Sequence, residues 1–271
     1  MAEAMVDSIQ FEVRGAVFDV DDTLLDNKPG NPGYGLHEQA RLAAAREAGK
    51  RHNISGLENL SVEDNLEAFM SAPVHTLEAA VWNILVMTGQ ADSEVLNKGN
   101  ILLQEIVARK DELYKDLLVN EGEEVPGASQ FVRALAASGI ESRMAIASTA
   151  IRRDVDIFLG KMGLVSLFPG ARIKTKESIT HPKPNPEVFN LAFNSLDLPE
   201  ADRPYVCAFE DDPRGIMAAR AAGLYVCAIG TRYSIDQMMS LEVPPHVAFA
   251  TYDEFMSWFN LDQDSSVTRQ L

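Results

Sequence analysis

Apolar and polar positions alternate in two different ways along the chain. In the second half, short runs rich in β-forming residues predict strands, and these runs are "SRMAIAS", "ARIKT", "YVCAFE", "LYVCAIG" and "HVAFA". Between them stand stretches with helical spacing, such as "ASQFVRALAASG", "NPEVFNLAFNSL" and "PRGIMAARAAG". The regular alternation of strands and helices predicts an α/β fold, a Rossmann-like parallel sheet with helices on both faces.

The first half has one strand pattern followed by helical patterns alone. The run "RGAVFDV" predicts a strand that ends near Val20, whereas residues 36–120 contain no convincing strand. Here "LHEQARLAAAREAG" predicts a helix that ends at Gly49, and "SVEDNLEAFM" predicts a helix capped by Ser61. "HTLEAAVWNILVMTG" predicts a helix that ends at Gly89, and the stretch from "DSEVLNKG" to "KDLLVN" predicts one long helix or two.

Two segments rich in turn-forming residues flank this helical block, at residues 27–35 and near residues 121–126. One strand precedes the block and the others follow it, so the simplest organisation is one α/β core with an all-helical insertion. We predict a core domain of residues 1–26 and 124–271 and an inserted helical domain of residues 27–123. The two flanking segments would then act as paired hinges.

The composition of the chain disfavours some classes of binding partner. The 271 residues carry a formal net charge of −16, which argues against binding to nucleic acid or to anionic membranes. The N-terminus lacks the apolar stretch of a signal peptide, and no apolar segment reaches the about 20 residues needed to cross a bilayer. We therefore expect a soluble, cytoplasmic protein. The apolar stretch "AAVWNILVMTG" can pack internally or dimerise, so a monomer and a homodimer both stay open.

Candidate chemistry follows the predicted strands. In an open parallel sheet, ligands bind beyond the carboxyl ends of the strands. Acidic groups follow two strands, hydroxyl groups follow a third, and a lysine stands in the loop "HPKPNP". These residues are Asp19, Asp21 and Asp22, then Ser148 and Thr149, then Glu210, Asp211 and Asp212, and finally Lys183.

Three interpretations of the acidic stretch "DVDD" stay open: a solvated turn, a cation site, or a nucleophile with its acid. Many carboxylates in one crevice repel, and a hard cation such as Mg²⁺ offsets this repulsion. Lys183 and Ser148 could hold a phosphate by charge and by hydrogen bonding, and the helix N-termini after these loops would add N–H donors. A carboxylate can also attack phosphorus while a second one protonates the leaving oxygen, and this explains the D-x-D spacing better than metal binding alone.

The sequence resembles the haloacid dehalogenase superfamily of phosphotransferases. The resemblance is carried by "AVFDVDDT", "MAIAS", "HPKPNPEVF" and "FEDDPRGIMAARAAG", which occur in the family's order and spacing. It covers about residues 11–260. The four motifs are highly specific together, although each alone would be weak.

The resemblance implies a role for each motif residue. Asp19 would be the nucleophile and a metal ligand, and Asp21 the general acid and base, giving its backbone carbonyl to Mg²⁺. Asp211 would be a further metal ligand, with Glu210 beside it as a ligand or a supporting residue. Ser148, with Thr149 next to it, and Lys183 would bind phosphate. Thr23 would steady the turn, and Asp22 would be a solvated turn residue.

The helical insertion resembles the family's helical cap, which closes over the site and carries substrate selectivity. Within the family, the chain is most similar to the β-phosphoglucomutase and phosphoglycolate phosphatase branch. That similarity implies His37 and Lys110 as substrate-side residues. Val62 stands where the mutases carry an arginine, which favours a phosphatase.

The leading hypothesis is therefore a Mg²⁺-dependent phosphatase of a small phosphorylated metabolite that acts through an aspartyl phosphate. A hexose-phosphate mutase similar to β-phosphoglucomutase is the alternative within the family. An alternative of another class is a non-catalytic protein that binds a phosphometabolite or accepts a phosphoryl group. Dehalogenase activity is disfavoured because those relatives lack the aspartate that this chain has at Asp21.

Overall fold

The structure is a computed structural model, and it describes residues 12–28, 34–72, 76–92 and 95–261. The chain divides into two compact units, one formed by the residues up to Asp26 and from Glu123 onward, the other by residues 27–122. Part of the first predicted hinge, residues 29–33, lies outside the described residues.

The strands belong to the first unit. They are β1 (Gly15–Phe18), β2 (Leu25–Asp26), β3 (Glu123–Glu124), β4 (Met144–Ala147), β5 (Ile173–Lys174), β6 (Val206–Glu210), β7 (Tyr225–Ile229) and β8 (Val247–Phe249). Six of them form one sheet in the order β5-β4-β1-β6-β7-β8, and each neighbouring pair in it is parallel. The predicted parallel α/β sheet is confirmed.

The α-helices fall into two groups. The second unit contains α1 (Leu36–His52), α2 (Ser55–Glu58), α3 (Val62–Met70), α4 (Leu77–Met87) and α5 (Ile101–Glu121). The first unit contains α6 (Ala128–Leu135), α7 (Arg152–Lys161), α8 (Glu187–Asn194), α9 (Pro213–Ala221), α10 (Ile235–Met239) and α11 (Tyr252–Trp258). Among the described residues, no helix combines the length and the apolar character that a bilayer crossing requires.

Helices cover both faces of the six-stranded sheet. On one face, buried side chains of α8 and α9 form a single apolar cluster with side chains of the strands. On the other face, the rings of Phe18 and Phe209 stack with their centroids 4.6 Å apart. Phe131 of α6 and Phe255 of α11 pack against Phe209. Successive strand residues point to opposite faces, so this burial on both sides explains why the strands are almost continuously apolar.

Helix α1 continues through Gly49 to His52, so the prediction that Gly49 ends this helix is wrong. A Cβ atom at Gly49 would lie 2.3 Å from the backbone nitrogen of Glu58. Glycine is thus needed inside the helix, because the backbone of α2 packs directly against it. The helix ends instead at His52 and is capped by Asn53, which adopts a left-handed conformation with φ 55°.

Side-chain caps fix the starts of α3 and α5 in the second unit. The N–H of Asp64 donates to Ser61 Oγ at 2.9 Å, which confirms the predicted cap of α3. The N–H of Leu103 donates to Asn100 Oδ1 at 3.0 Å, and α5 begins directly after this cap, at Ile101. The long helix predicted from "DSEVLNKG" onward is therefore shorter than its pattern indicates.

A short antiparallel ribbon joins the two points where the chain leaves the first unit and returns to it. Leu25 of β2 lies opposite Glu124 of β3, and Asp26 lies opposite Glu123. The sequence pattern does not predict this ribbon, because strands of two residues have no periodicity to detect.

Candidate functional site

The carboxyl ends of β1 and β6 bring acidic side chains together. β1 lies between β4 and β6, so the connections of the sheet run to opposite sides of it. Open α/β sheets form their binding crevice at such a switch point. The N–H of Asp19, one residue beyond β1, donates to the C=O of Phe209 at 3.0 Å. This bond sets Asp19 level with Glu210, the last residue of β6, and Asp211 follows directly.

Carboxylate oxygens of Asp19, Glu210 and Asp211 lie within 4.8 Å of one another. The three residues are only 6 %, 1 % and 2 % exposed, respectively. In the part of the chain that the structure describes, Asp211 Oδ2 is the buried side-chain atom without a hydrogen-bond partner. Buried carboxylates at this range repel each other strongly. The cluster is therefore an acidic site whose oxygen donors suit a hard divalent cation.

Lys183 contributes positive charge to this carboxylate cluster. It lies in the loop before α8, and its Nζ donates to Asp19 Oδ1 at 2.5 Å and to Glu210 Oε1 at 2.6 Å. The same Nζ lies 4.9 Å from the centre of the Phe189 ring in α8. The structure thus brings together Asp19, Glu210 and Lys183, which the sequence places far apart.

Burial and crowding shift the pKa values of these groups. Burial raises the pKa of Asp19 well above its ordinary value, Lys183 opposes this, and the charge of Glu210 adds to it. Burial and then the charge of Glu210 likewise raise the pKa of Asp211. Burial acts to lower the pKa of Lys183, but the charges of Asp19 and Glu210 outweigh it and leave the pKa raised. A bound cation would let both aspartates stay ionised at lower pH.

The turn after β1 is tied to the cluster. Thr23 Oγ1 donates to Asp211 Oδ1 at 3.1 Å, and the C=O of Thr23 accepts from the Tyr252 hydroxyl at 2.9 Å. Asp21, half-buried, lies in the same turn and adds to the negative charge around Asp19. Asp22 is buried and has φ 56°, so the prediction that it is a solvated turn residue is wrong.

Ser148 and Thr149 follow β4, the neighbour of β1. Ile146 of β4 lies opposite Phe18, so both hydroxyl residues extend beyond the same sheet edge as Asp19. Ser148 is fully buried, and its Oγ accepts the N–H of Ala150 at 3.0 Å. This bond uses Oγ as an acceptor, and a hydroxyl group that accepts can still donate its own proton. Thr149, in contrast, is exposed.

Helix α7 begins directly after this loop, and its first N–H is already used. The N–H of Arg152 donates to both carboxylate oxygens of Glu177, at 2.9 and 3.1 Å. Thr175 Oγ1 also donates to Glu177 Oε2, at 2.6 Å. The prediction that the helix start after this loop offers its N–H groups to phosphate is therefore wrong for Arg152.

Glu210 has a structural task inside the cluster. Its Oε2 accepts the N–H groups of Asp211 and Asp212 at 3.0 and 3.2 Å, while its Oε1 binds Lys183. A Cβ atom at Gly215, in α9, would lie 1.8 Å from Glu210 Oε1. Only glycine at this position leaves room for the Glu210 carboxylate to make all three bonds.

Gly215→Ala is expected to lower the free energy of unfolding by about 1–3 kcal/mol, because the new methyl group must displace the anchored carboxylate. Urea denaturation measures the change. The matched control is Gly160→Ala in α7, where a Cβ meets nothing within 4 Å. That variant should gain roughly 0.5–1 kcal/mol from the helix propensity of alanine. Equal stability of Gly215→Ala and wild type would contradict the steric argument.

A family model described as a haloacid dehalogenase-like hydrolase matches residues 13–223. The chain belongs to this family. The match spans the sequence motifs that carry the resemblance, and these are the segments that form the carboxylate cluster and its lysine. The resemblance inferred from the motifs is confirmed, and the protein is a member of a hydrolase family.

One known protein is similar to part of the chain. Protein CbbY from Rhodobacter capsulatus is 33% identical over 114 residues, which make up 41% of this chain and 47% of that protein. The aligned part therefore spans less than half of that relative's length.

Solved structures share the fold of this hydrolase. One is a HAD hydrolase of family IA, variant 3, from Entamoeba histolytica, with a TM-score of 0.70, 21% identity, and coverage of 92% of this chain and 98% of that one. Another is CbbY from Rhodobacter sphaeroides in complex with phosphate, with a TM-score of 0.66, 19% identity, and coverage of 92% and 99%. At these identities the likeness shows the fold alone.

The second unit of the hydrolase brings His37 and Lys110 onto one aromatic ring. The rings of His37 and Tyr114 stack with their centroids 3.9 Å apart. Lys110 is buried, and its Nζ lies 4.4 Å from the centre of the same Tyr114 ring. The Tyr114 hydroxyl donates to Asn27 Oδ1 at 3.0 Å. The roles of His37 and Lys110 toward a substrate stay a prediction.

The sequence analysis does not identify two residues that matter in the structure, Tyr114 and Gly215. Tyr114 stands four positions after Lys110 on α5, so helical spacing places both on one face. The stretch "RKDELY" thus contained the signal. Gly215 lies inside a quoted motif, but its steric role depends on a carboxylate from another element.

Proposed function

We propose that this hydrolase is a Mg²⁺-dependent phosphatase of small phosphorylated metabolites and that it acts through a phosphorylated Asp19. The observation that supports this most is the carboxylate cluster of Asp19, Glu210 and Asp211 with Lys183 bonded to two of its members. A buried lysine between two carboxylates can bind the oxygens of an incoming phosphate. CbbY from Rhodobacter sphaeroides, which shares the fold, was solved in complex with phosphate, and this supports the proposal.

The donor set fits a magnesium ion. Asp211 Oδ2 is buried without a hydrogen-bond partner, and a metal ion is the partner that would satisfy it. Asp19, Asp211 and the backbone carbonyl of Asp21 would hold the ion. Glu210 would support them, because both of its oxygens already accept hydrogen bonds. Bound Mg²⁺ would supply positive charge to the phosphoryl oxygens and offset the repulsion between the carboxylates.

The chain's own residues would carry the chemistry in two steps. An oxygen of Asp19 forms a bond to phosphorus while the bond from phosphorus to the leaving oxygen breaks, and Asp21 gives its proton to that oxygen. Water then attacks the phosphorylated Asp19, Asp21 takes back a proton, and inorganic phosphate leaves. Lys183 and the Ser148 hydroxyl would hold the phosphoryl oxygens throughout.

A panel of phosphorylated metabolites, assayed for phosphate release with and without Mg²⁺, tests the proposal. We expect that at least one ester is hydrolysed and that its hydrolysis depends on Mg²⁺. A coupled isomerisation assay with a hexose phosphate and its bisphosphate would reveal a mutase instead. Slow turnover of every ester, together with tight binding of one of them, would favour the non-catalytic alternative. Either of these last two results would overturn the proposed phosphatase.

Asp211→Asn separates the metal-binding role from a structural one. In chelator, the variant should be more stable than wild type by about 1–3 kcal/mol, because it removes a buried charge that Glu210 repels and whose Oδ2 atom has no hydrogen-bond partner. At a 100-fold excess over its dissociation constant, Mg²⁺ should stabilise wild type by about 2.7 kcal/mol and the variant far less. Thermal unfolding with chelator and with increasing Mg²⁺ measures both effects.

The matched control is Asp197→Asn, an exposed residue with φ 56°, a conformation that asparagine tolerates well. Its response to Mg²⁺ should equal that of wild type. If Asp211→Asn also gained the full stabilisation by Mg²⁺, Asp211 would not be a ligand.

A further inference from the structure

A second group of charged and polar residues lies beside the carboxylate cluster, and none of them reacts directly in the proposed mechanism. Asp22 lies in the turn after β1, Asp212 in the loop after β6, and Thr231 and Arg232 in the loop between β7 and α10. We propose that Thr231 and Arg232, together called the 231–232 clamp, position the turn at residues 21–23 for phosphoryl transfer. This inference rests on the proposed function, because it concerns the groups that would act in that reaction.

The clamp contacts Asp22 in two ways. Thr231 Oγ1 donates a hydrogen bond to the backbone C=O of Asp22. Arg232 Nη1 lies 4.0 Å from Asp22 Oδ2 and 3.8 Å from Asp212 Oδ2. Both distances exceed the range of a hydrogen bond, so the guanidinium acts as one positive charge shared by two loops. The side chains of Asp22, Asp212 and Arg232 are 10 %, 15 % and 27 % exposed, so solvent screens these attractions only in part.

The backbone of Asp22 explains why the turn needs holding. Its φ of 56° is left-handed, a conformation that glycine adopts freely and a residue with a Cβ atom adopts at a cost. Contacts from the surroundings help to hold a turn that has an aspartate at this position. The clamp supplies two such fixing contacts, one to the backbone and one to the carboxylate.

The turn carries two groups that the proposed reaction uses. Asp21, directly before Asp22, would exchange the proton with the leaving oxygen. Thr23, directly after Asp22, donates to Asp211 Oδ1 at 3.1 Å and so orients a proposed metal ligand. Tyr252 fixes the carbonyl of Thr23 from a different side. A shift of Asp22 would therefore displace the acid and loosen the ligand together.

A second arginine beside Asp212 has a local task. Arg214 Nε and Nη2 donate to Asp212 Oδ1 and Oδ2 at 2.9 and 3.0 Å, and both residues belong to the start of α9. This pair orders the loop after β6 within its own segment. Arg232, in contrast, lies between that loop and the turn after β1. Its removal should therefore change the position of Asp21, which belongs to that turn.

The test is a double-mutant cycle between Arg232 and Asp22. Arg232→Gln should lower kcat for the preferred ester about 10- to 100-fold, with KM little changed, because reacting groups are displaced. Arg232→Lys should restore most of kcat, since a shared charge at about 4 Å does not need the planar fork of arginine. In an Asp22→Gly background, glycine adopts the left-handed conformation without strain and the carboxylate near Arg232 is absent. Arg232→Gln should therefore change kcat less than about threefold in that background.

A second readout needs no turnover. Arg232→Gln should raise the Mg²⁺ concentration that half-saturates the thermal shift about 10-fold, because residues that orient ligands tune metal affinity. Arg220→Gln is the matched control, since Arg220 contacts His246 away from the cluster and should leave kcat and the Mg²⁺ response unchanged.

Three results would overturn the clamp. An equal loss of kcat in both backgrounds would mean that Arg232 acts directly on the substrate. A lower melting temperature with unchanged kinetics would mean that it only stabilises the fold. Unchanged kinetics and Mg²⁺ response would remove its role altogether. If the proposed function is wrong, the wild-type protein hydrolyses no ester, and this result is distinct from the three above. In that case the thermal shift with increasing Mg²⁺ still tests the clamp.

Discussion

Asp19→Asn is expected to lower kcat for phosphate ester hydrolysis by about 10⁴-fold or more, because the amide cannot form the acyl phosphate. The change is nearly isosteric, so the amide oxygen can still accept from Lys183, which holds the carboxylate in the native protein. The fold should therefore persist while turnover is lost. Initial rates of phosphate release with Mg²⁺ measure the effect, and mass spectrometry of the quenched enzyme should detect the phosphorylated form in wild type alone.

Asp197→Asn makes the same chemical change at an exposed residue in the segment between α8 and β6. Its kcat should equal that of wild type. An Asp19→Asn enzyme with normal metal-dependent activity would refute the nucleophilic mechanism.

Lys183→Met should act on stability and on activity together. Measured in chelator, the free energy of unfolding should fall by about 3–5 kcal/mol, because two buried carboxylates lose their cation. The lysine side chain is only 9 % exposed, and the side chains of Asp19 and Glu210 are 9 % and 1 % exposed, so solvent cannot replace it. Activity with Mg²⁺ should fall by about 10²- to 10³-fold, since a charge on the phosphoryl oxygens is lost. Urea denaturation and initial rates measure the two effects.

A second substitution distinguishes lost charge from lost packing. Adding Asp19→Asn to Lys183→Met removes one of the stranded carboxylates, so the double variant should be more stable in chelator than Lys183→Met alone. Lys50→Met on the exposed side of α1 is the control, and it should stay within about 0.5 kcal/mol of wild type. If the double variant were less stable than Lys183→Met, uncompensated charge would not be the cause.

The sequence predicts what local pattern and order along the chain can encode. The apolar run before Asp19 and the one before Glu210 identify buried strands, and parallel strands end at a common edge, so the meeting of these acids follows from topology. The cap at Ser61 is equally local, because it needs only a hydroxyl three residues before an N–H.

What the sequence does not predict depends on contacts between distant segments. Gly49 resembles a helix end because the neighbouring sequence does not show that the backbone at Glu58 packs against it. Asp22 resembles a solvated turn residue because its burial depends on the loop of Thr231 and Arg232, and Thr231 lies 209 positions away. Both errors concern single residues whose environment is set by tertiary structure, while the elements around them are correct.

The ribbon of β2 and β3 has a consequence for how such a chain can change. Asp26 and Glu123 stand face to face, so everything between them begins and ends at neighbouring backbones. A tight two-residue reversal such as Asn-Gly could close that gap. A domain can thus be inserted, removed or replaced between Asp26 and Glu123 without changing the strand order of the six-stranded sheet.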